Sequence, residues 1–368
     1  MPVCANGMLL EPGIDLSKFW RNIGQSGGPF HWTARSAVPV RRGCSGKPAA
    51  GVIKKTPEEM DEMGERDVTT IIDPTLCTGC GLCVRVCPDE TISMRDGKAV
   101  VTGNVSLHCG HCAAVCPADA IRVSAIDPAA QDFATFHIDD HWIDYGQADV
   151  CQLVRLMRSR RSCRNFEDRC LSRDLLEDLV KIGITAPSGT NSQKWTFTIL
   201  PDRNAVLDLG RDIGRFFRRL NRLAEKTLLR KAFKVIGKPA LENYYRDYHD
   251  VVADALQEWD STGRDRLFHG APAVIIVGSR PGASCPGEDA LLASQNMLLA
   301  AHCMGLGTCL VGFAVTALQQ EPKIKLRLGV PADERIYAVV AIGYPDEVYQ
   351  RATGRKMPVI RYCEASKE

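Results

Sequence analysis

Seven of the chain's 16 cysteines lie between Cys77 and Cys116. The first four are spaced Cys77-x2-Cys80-x2-Cys83-x3-Cys87 and are followed by Pro88. Three thiolates two residues apart can wrap three corners of one iron–sulfur cubane. A fourth, three residues on, points away, and the proline turns the chain. Thiolate is the ligand chemistry expected, because soft sulfur matches such clusters. Structural zinc usually pairs two Cys-x2-Cys units across a longer gap, which this run lacks. A secreted disulfide scaffold is short and spreads its cysteines along the chain. The dense cluster points instead to metal in a reducing, cytoplasmic compartment.

The pattern returns imperfectly as Ser106-x2-Cys109-x2-Cys112-x3-Cys116-Pro117, with serine where a cysteine is expected. Over about 60 residues the unit resembles the two-cluster (4Fe-4S) bacterial ferredoxins. The crossed ligation of that family implies a first cluster on Cys77, Cys80, Cys83 and Cys116. It implies a second on Cys87, Cys109 and Cys112, one ligand short. The second cluster is then a 3Fe-4S form, or takes Ser106, His108 or a distant cysteine such as Cys4 or Cys44 as its fourth ligand.

A second set of residues follows. Arg160-Arg161-Ser162-Cys163-Arg164-Asn165-Phe166 puts guanidinium groups beside a hydroxyl, a combination suited to a phosphate and a polar chain. Pro187-Ser188-Gly189-Thr190-Asn191-Ser192-Gln193-Lys194-Trp195 is a polar loop between a helix and a strand, where binding residues often sit. Gly305-Leu306-Gly307 ends an apolar helix, and Gly343-Tyr344-Pro345 precedes Arg351 and Arg355. Each alone is weak, and no Gly-rich dinucleotide fingerprint follows any strand. As an ordered set over most of 150–360, they resemble the FMN-dependent nitroreductase family.

That resemblance implies an α+β fold and a homodimer with FMN between the subunits. Carried over by position, Arg160, Arg161, Ser162 and Arg164 contact the phosphate, ribityl and pyrimidine side of FMN. Arg355 binds the phosphate. Pro187, Ser188 and Asn191 line the ring, partly from the other subunit. Val311 and Gly312 present N–H groups near flavin N5. Two positions depart from the family pattern: Lys194 replaces a frequent proline, and Val311 an acidic residue found in some members. A ferredoxin-like unit fused to such a body also resembles a subgroup common in anaerobes.

The elements that must position these groups can be read from hydrophobic period and turn residues. Val68–Ile72 and Thr91–Met94 read as strands, and Asp96-Gly97 as a hairpin turn into Ala99–Val101. Leu175, Leu176, Leu179, Val180 and Ile182 form a helical face ending near Gly183. Trp195–Leu200, Ala273–Val277 and Ile336–Ile342 read as strands, and Glu288–Met304 as a buried helix. The expected organisation has four parts. Residues 1–66 are a flexible leader or follow a misassigned start, and 67–126 form the ferredoxin-like domain. Residues 127–149 are a linker, and 150–368 are the FMN domain, with a helical insertion at 211–265. Within it, 211–238 carries net +8 and 242–265 net −5, read as two helices whose charges offset each other.

Bulk properties limit the alternatives. The 368 residues carry a formal charge of +2, too little for nucleic acid or anionic lipid to be bound by bulk charge. No secretory signal is visible, and Arg41-Arg42 precedes no apolar run. Leu291–Val315 holds no charge over 25 residues, but Ser294-Gln295-Asn296 and its glycines break it into helix, turn and strand rather than a membrane span. No Ser/His/Asp set and no nucleophilic cysteine signature is present, so no catalytic side chain is assigned. The remaining cysteines, Cys163 among them, read as small core or interface residues.

Clusters move single electrons, whereas FMN takes one or two. The combined reading is an FMN- and iron–sulfur-dependent oxidoreductase acting on a small organic acceptor, nitroaromatic or quinone-like. Its donor is NAD(P)H or an external ferredoxin. The alternatives are an electron-transfer subunit serving a partner protein, and a redox sensor.

Overall fold

The structure, a computed structural model, describes residues 66–363. The leader or start expected over 1–66 therefore falls almost wholly outside the described residues, as do Cys4 and Cys44.

The cysteine-rich segment is built from two similar halves. Strand β1 (Thr70–Ile72) pairs antiparallel with β4 (Ile121–Val123), joining its two ends. Between them, β2 (Ile92–Arg95) and β3 (Lys98–Val101) form a hairpin. Asp96 and Gly97 turn it with φ of 49° and 74°, the paired positive values that suit right-twisted strands. Each half carries a short helix, α1 (Leu82–Val86) and α2 (His111–Ala114). Both are entered through a left-handed glycine, Gly81 and Gly110, each at φ 73°. The small core consists of Cys77, Cys83, Ile92, Ala99, Cys112, Ala120, Ile121 and Val123. Its largest members are ligand candidates and a few β-branched residues.

After an exposed stretch, α3 (Val150–Ser159) begins with the Asp149 carboxylate capping Cys151 and Gln152 N–H. Helix α4 (Arg173–Gly183) is capped by Ser172. Strand β5 (Trp195–Leu200) leads into α5 (Arg203–Ala224), capped by Asp202. The chain continues through α6 (Thr227–Val235), α7 (Ala240–Asp247), α8 (His249–Thr262) and β6 (Ala273–Ser279). It ends with α9 (Pro286–Cys303), β7 (Gly307–Leu310), α10 (Gly312–Gln320), α11 (Pro322–Arg327) and β8 (Arg335–Gly343).

The four later strands form an antiparallel sheet in the order β5-β6-β8-β7, covered by helices on both faces. This is an α+β fold. Alternation along β6 distributes the core. Val274 and Ile276 face α5 and α10, while Ala273, Ile275 and Val277 face α4 and α9. Phe216 and Phe268 are fully buried on the first face, and each such side chain contributes about 1.5–3 kcal/mol.

Two sequence expectations change. The charged segment is four helices, α5 to α8, not two, and α5 starts at Arg203 with its inner face in the core. Charges do pair across it, as Arg218–Asp260 at 2.5 Å and Arg230–Glu242 at 3.4 Å. Helix α9 is also less enclosed than its composition suggests. Ala290, Ala293, Met297 and Ala301 are buried, but Leu291 and Leu292 are exposed. No helix among the described residues is long and apolar enough to cross a membrane.

Candidate functional site

Six of the seven expected cysteine ligands fall into two neighbourhoods. Burial pushes the Cys83 thiol up, and Cys77 and Cys80 are its charged neighbours. Burial does the same to Cys112, whose neighbours are Cys109 and Cys87. The second neighbourhood encloses a small cavity lined by Cys87, Ser106, Leu107, His108, Cys109 and Cys112. The halves repeat at their far ends. Thr91 N–H donates to Cys87 Sγ and Ala120 N–H to Cys116 Sγ, both at 3.3 Å. Ala99 N–H reaches Cys77 Sγ at 3.5 Å and holds that thiol below its usual range.

Buried and half-buried soft donors that collect N–H bonds and form no disulfide fit an iron–sulfur cluster. Among the described residues no three His, Cys, Asp or Glu side chains meet around a single ion. Thiolates at separate corners of a cluster stand farther apart than ligands of one ion. Gly79 shows how tightly the first loop is drawn: at φ 76°, a Cβ there would lie 2.2 Å from the Gly97 carbonyl oxygen.

The arginine run lies along the outer edge of β7. Ser162 bridges Thr308, Cys163 N–H donates to the Thr308 carbonyl at 2.9 Å, and Phe166 bridges Pro345. Gly307 permits this approach, since a Cβ there would meet Cys163 Sγ at 2.7 Å. The tail brings Arg355 to the same place. Burial, then repulsion from Arg355 and Arg161, holds the Arg160 guanidinium below its usual range. Cys309 lies beside Arg164, Ser162 and Arg160. Among the described residues, none of Arg160, Arg161, Arg164 and Arg355 is ion-paired with a carboxylate. Guanidinium groups gathered with no carboxylate in ion-pair contact suit a phosphate.

Val311 and Gly312 follow β7 directly, at the N-terminus of α10. Val311 does not offer its N–H, which already donates to the Val339 carbonyl at 2.8 Å as β7–β8 pairing continues. The Gly312 N–H has no such partner among the described residues, in keeping with the first turn of a helix.

The Pro187–Asn191 loop is elsewhere. It enters β5 at Trp195, which is level with Ser279 and, through it, with Arg335. The arginine run is level with Thr308 and Ile342, at the other end of β8 and the other edge of the sheet. With strand spacing of about 4.8 Å and a rise of about 3.3 Å per residue, the two groups stand roughly 30 Å apart. Thr190, Asn191 and Gln193 all adopt left-handed φ of 47–54°. Buried Asp289 holds the loop, accepting from Gly189 N–H at 2.8 Å and Ser192 Oγ at 3.4 Å. Trp195 Nε1 is buried beside it with no hydrogen-bond partner.

The profile of the Nitroreductase family matches residues 157–344, more than half of the chain. The chain belongs to the nitroreductase family. A second profile, of the 4Fe-4S binding domain, matches residues 70–93. This nitroreductase-family oxidoreductase is 26% identical over 213 residues to iodotyrosine deiodinase from Thermotoga neapolitana, covering 57% of this chain and 97% of that protein. It is 27% identical over 219 residues to 4-nitrobenzoate reductase from Nocardioides sp., covering 56% and 87%. A Bacteroides fragilis nitroreductase solved with bound FMN aligns at 22% identity and TM-score 0.41, over 57% of this chain and 99% of that one.

Within the nitroreductase body, sequence reasoning passed over several neighbours of the arginine run. His269 has φ 56° and a ring held below the usual histidine range by burial, then by Arg164. Glu347 accepts from Asn165 Nδ2 at 2.9 Å and from Tyr349 OH at 2.8 Å. Lone His and Glu residues in loops carry no spacing signal that could have singled them out. Cys163 is buried, with its thiol pushed up to about 11 by that burial, in keeping with a structural role.

Proposed function

We propose that this chain is an FMN- and iron–sulfur-dependent oxidoreductase that passes electrons through its clusters and flavin to a small nitroaromatic or quinone-like acceptor. The observation that carries the reading is the cluster of Arg160, Arg161 and Arg355, with Arg160 and Arg164 both near Cys309 of β7, and the open Gly312 N–H just beyond the end of that strand. In this reading the arginines bind the FMN phosphate and Ser162 bonds the ribityl chain. Gly312 N–H is directed at the ring edge, and Pro187, Ser188 and Asn191 line the ring. Bound FMN supplies hydride-equivalent chemistry. The relative named for 4-nitrobenzoate reduction supports a nitroaromatic acceptor. NAD(P)H or a reduced ferredoxin is the donor.

Residues 67–126 are read as a two-cluster domain, 127–149 as a linker and 150–368 as the flavin domain. Cys77, Cys80, Cys83 and Cys116 hold the first cluster. Cys87, Cys109 and Cys112 hold the second, with Ser106 at the remaining corner of its cavity.

The active form is a homodimer. The ring loop and the phosphate cluster of one chain lie too far apart for a single FMN, so each site takes them from two copies. Two apolar surfaces support this. On α3, Val150, Leu153, Val154 and Met157 are all exposed, and Leu291 and Leu292 are exposed on α9.

The test is anaerobic purification with flavin and iron analysis. FMN released on denaturation, a dimer by sedimentation, and turnover of nitrobenzoate or a quinone are expected. Release of FAD, or a stable FMN-loaded monomer, would overturn the reading.

A further inference from the structure

Among the described residues, one hydrogen bond joins the cysteine-rich segment to the body of the chain. Asn191 Nδ2 donates to the Leu107 carbonyl at 2.8 Å, in a half-buried position. Both ends of this bond carry chemistry. Leu107 lines the cavity shared by Cys87, Ser106, Cys109 and Cys112, the second neighbourhood and not the first. Its loop is fixed on either side, by Ser106 N–H on the Arg66 carbonyl at 3.0 Å and by the His108 ring on the Asp67 carbonyl at 2.5 Å. Asn191 belongs to the strained loop anchored on Asp289. Asp289 grips the loop on both sides of Asn191, at Gly189 and Ser192, and the left-handed, β-branched Thr190 beside it persists only where surrounding structure over-determines it. The loop is thus rigidly presented to the second cysteine neighbourhood, while the same chain's arginine run is roughly 30 Å away across the sheet.

We propose that the second cluster, the one with Ser106 in place of a cysteine, is the electron exit of the iron–sulfur domain. It discharges through the Leu107–Asn191 hydrogen bond into the flavin whose phosphate is held by the other copy of the chain. The inference rests on the proposed function and adds a direction to it. Electrons enter from a reduced ferredoxin-type donor, one at a time. Each leaves an iron–thiolate centre and enters the flavin. Two electrons and one proton from solvent complete the anionic reduced ring, and two one-electron centres of the donor are oxidised. The clusters return to their starting state. The donor feeds the chain that lines the ring, not the chain that binds the phosphate.

Crossed heterodimers test this. In the first, one chain carries Arg160→Ala and Arg355→Ala, and the other Cys109→Ala and Cys112→Ala. Its single flavin takes its phosphate site from the second chain and its ring loop from the first, which keeps the cluster. In the other pair, all four substitutions sit on one chain beside an unaltered partner. Its single flavin is lined by the chain without the second cluster. Iron and FMN content are measured on both, followed by stopped-flow bleaching of the flavin with reduced two-cluster ferredoxin. The fast phase is expected in the first pair and lost in the second. The opposite result, or equal rates in both, would overturn the inference.

A second measurement does not depend on heterodimers. Asn191→Asp places a carboxylate against the Leu107 carbonyl. Amide hydrogen exchange over 105–112 in flavin-free protein should accelerate, while iron content stays at the unaltered level. Unchanged exchange would show that the contact does not hold the loop, and would remove the proposed route. Protein with both clusters and no FMN would instead sink the proposed function, and this inference with it.

Discussion

Replacing Arg160 by alanine should move two quantities in unlike ways. In flavin-free protein the Arg160 charge is opposed by burial and by its neighbours Arg355 and Arg161. Its removal should therefore leave the melting temperature of flavin-free protein unchanged or raise it. Flavin binding should suffer, because the phosphate loses a partly desolvated charge-assisted contact. Losses of that kind run at about 2–5 kcal/mol. They correspond to a roughly 30- to 5000-fold rise in Kd. The assay is titration of flavin-stripped protein with FMN, followed by flavin fluorescence at low and high salt, alongside thermal melts of the stripped protein. Salt should weaken the unaltered protein more than the variant, since screening acts on the charge that was removed. Arg355→Ala should behave alike, because both guanidinium groups share one site. An unchanged Kd in both variants would refute the placement of the phosphate. A large drop in the melting temperature of stripped Arg160→Ala would refute the claim that the cluster is self-repelling.

Three further outcomes follow from the geometry. Ser106→Cys should raise the iron content per chain and convert the second cluster to a robust four-iron form in anaerobic EPR, because the Ser106 position lines the same cavity as Cys87, Cys109 and Cys112. Gly79→Ala should destabilise the iron–sulfur unit by on the order of 1–3 kcal/mol and speed iron loss, whereas Gly81→Ala, equally left-handed but with open space at its Cβ, should cost less. Burial alone would raise the Asp178 carboxyl, but Thr135 and Ala134 hydrogen bonds outweigh it and hold it below 3.8. Its contribution is therefore present above the unfolded pKa and is lost as pH falls through the lower folded value. Asp178→Asn should cost roughly 1.5–3 kcal/mol in urea unfolding at neutral pH, with the gap closing below pH 3.8.

Local chemistry was legible without coordinates wherever the decisive groups lie within a few residues of one another. Cysteine spacing specifies thiolates a short turn apart, and Asp96-Gly97 specifies a two-residue hairpin, because both depend on backbone geometry over fewer than a dozen residues. The unbroken apolar, β-rich runs Ala273–Val277 and Ile336–Ile342 likewise marked strands, and their side chains fall to the cores on both faces of the sheet. The left-handed entries at Gly81 and Gly110 repeat the internal symmetry already visible in the cysteine pattern.

Other features depend on which segments meet, and neighbouring residues do not encode that. Arg355 joins Arg160 only because the tail returns past β7, and the charges of both were visible in sequence while their repulsion was not. The Val311 N–H is spent on Val339 through the register of β7 against β8, which no local pattern states. Strand order set the Pro187–Asn191 loop and the arginine run at opposite corners of the sheet, though their motifs are adjacent in sequence. The bond from Asn191 to Leu107 spans 84 residues. Short-range backbone preferences thus determined the cysteine loops, the hairpin and the strands, whereas long-range packing alone decided which of those loops meets Asn191.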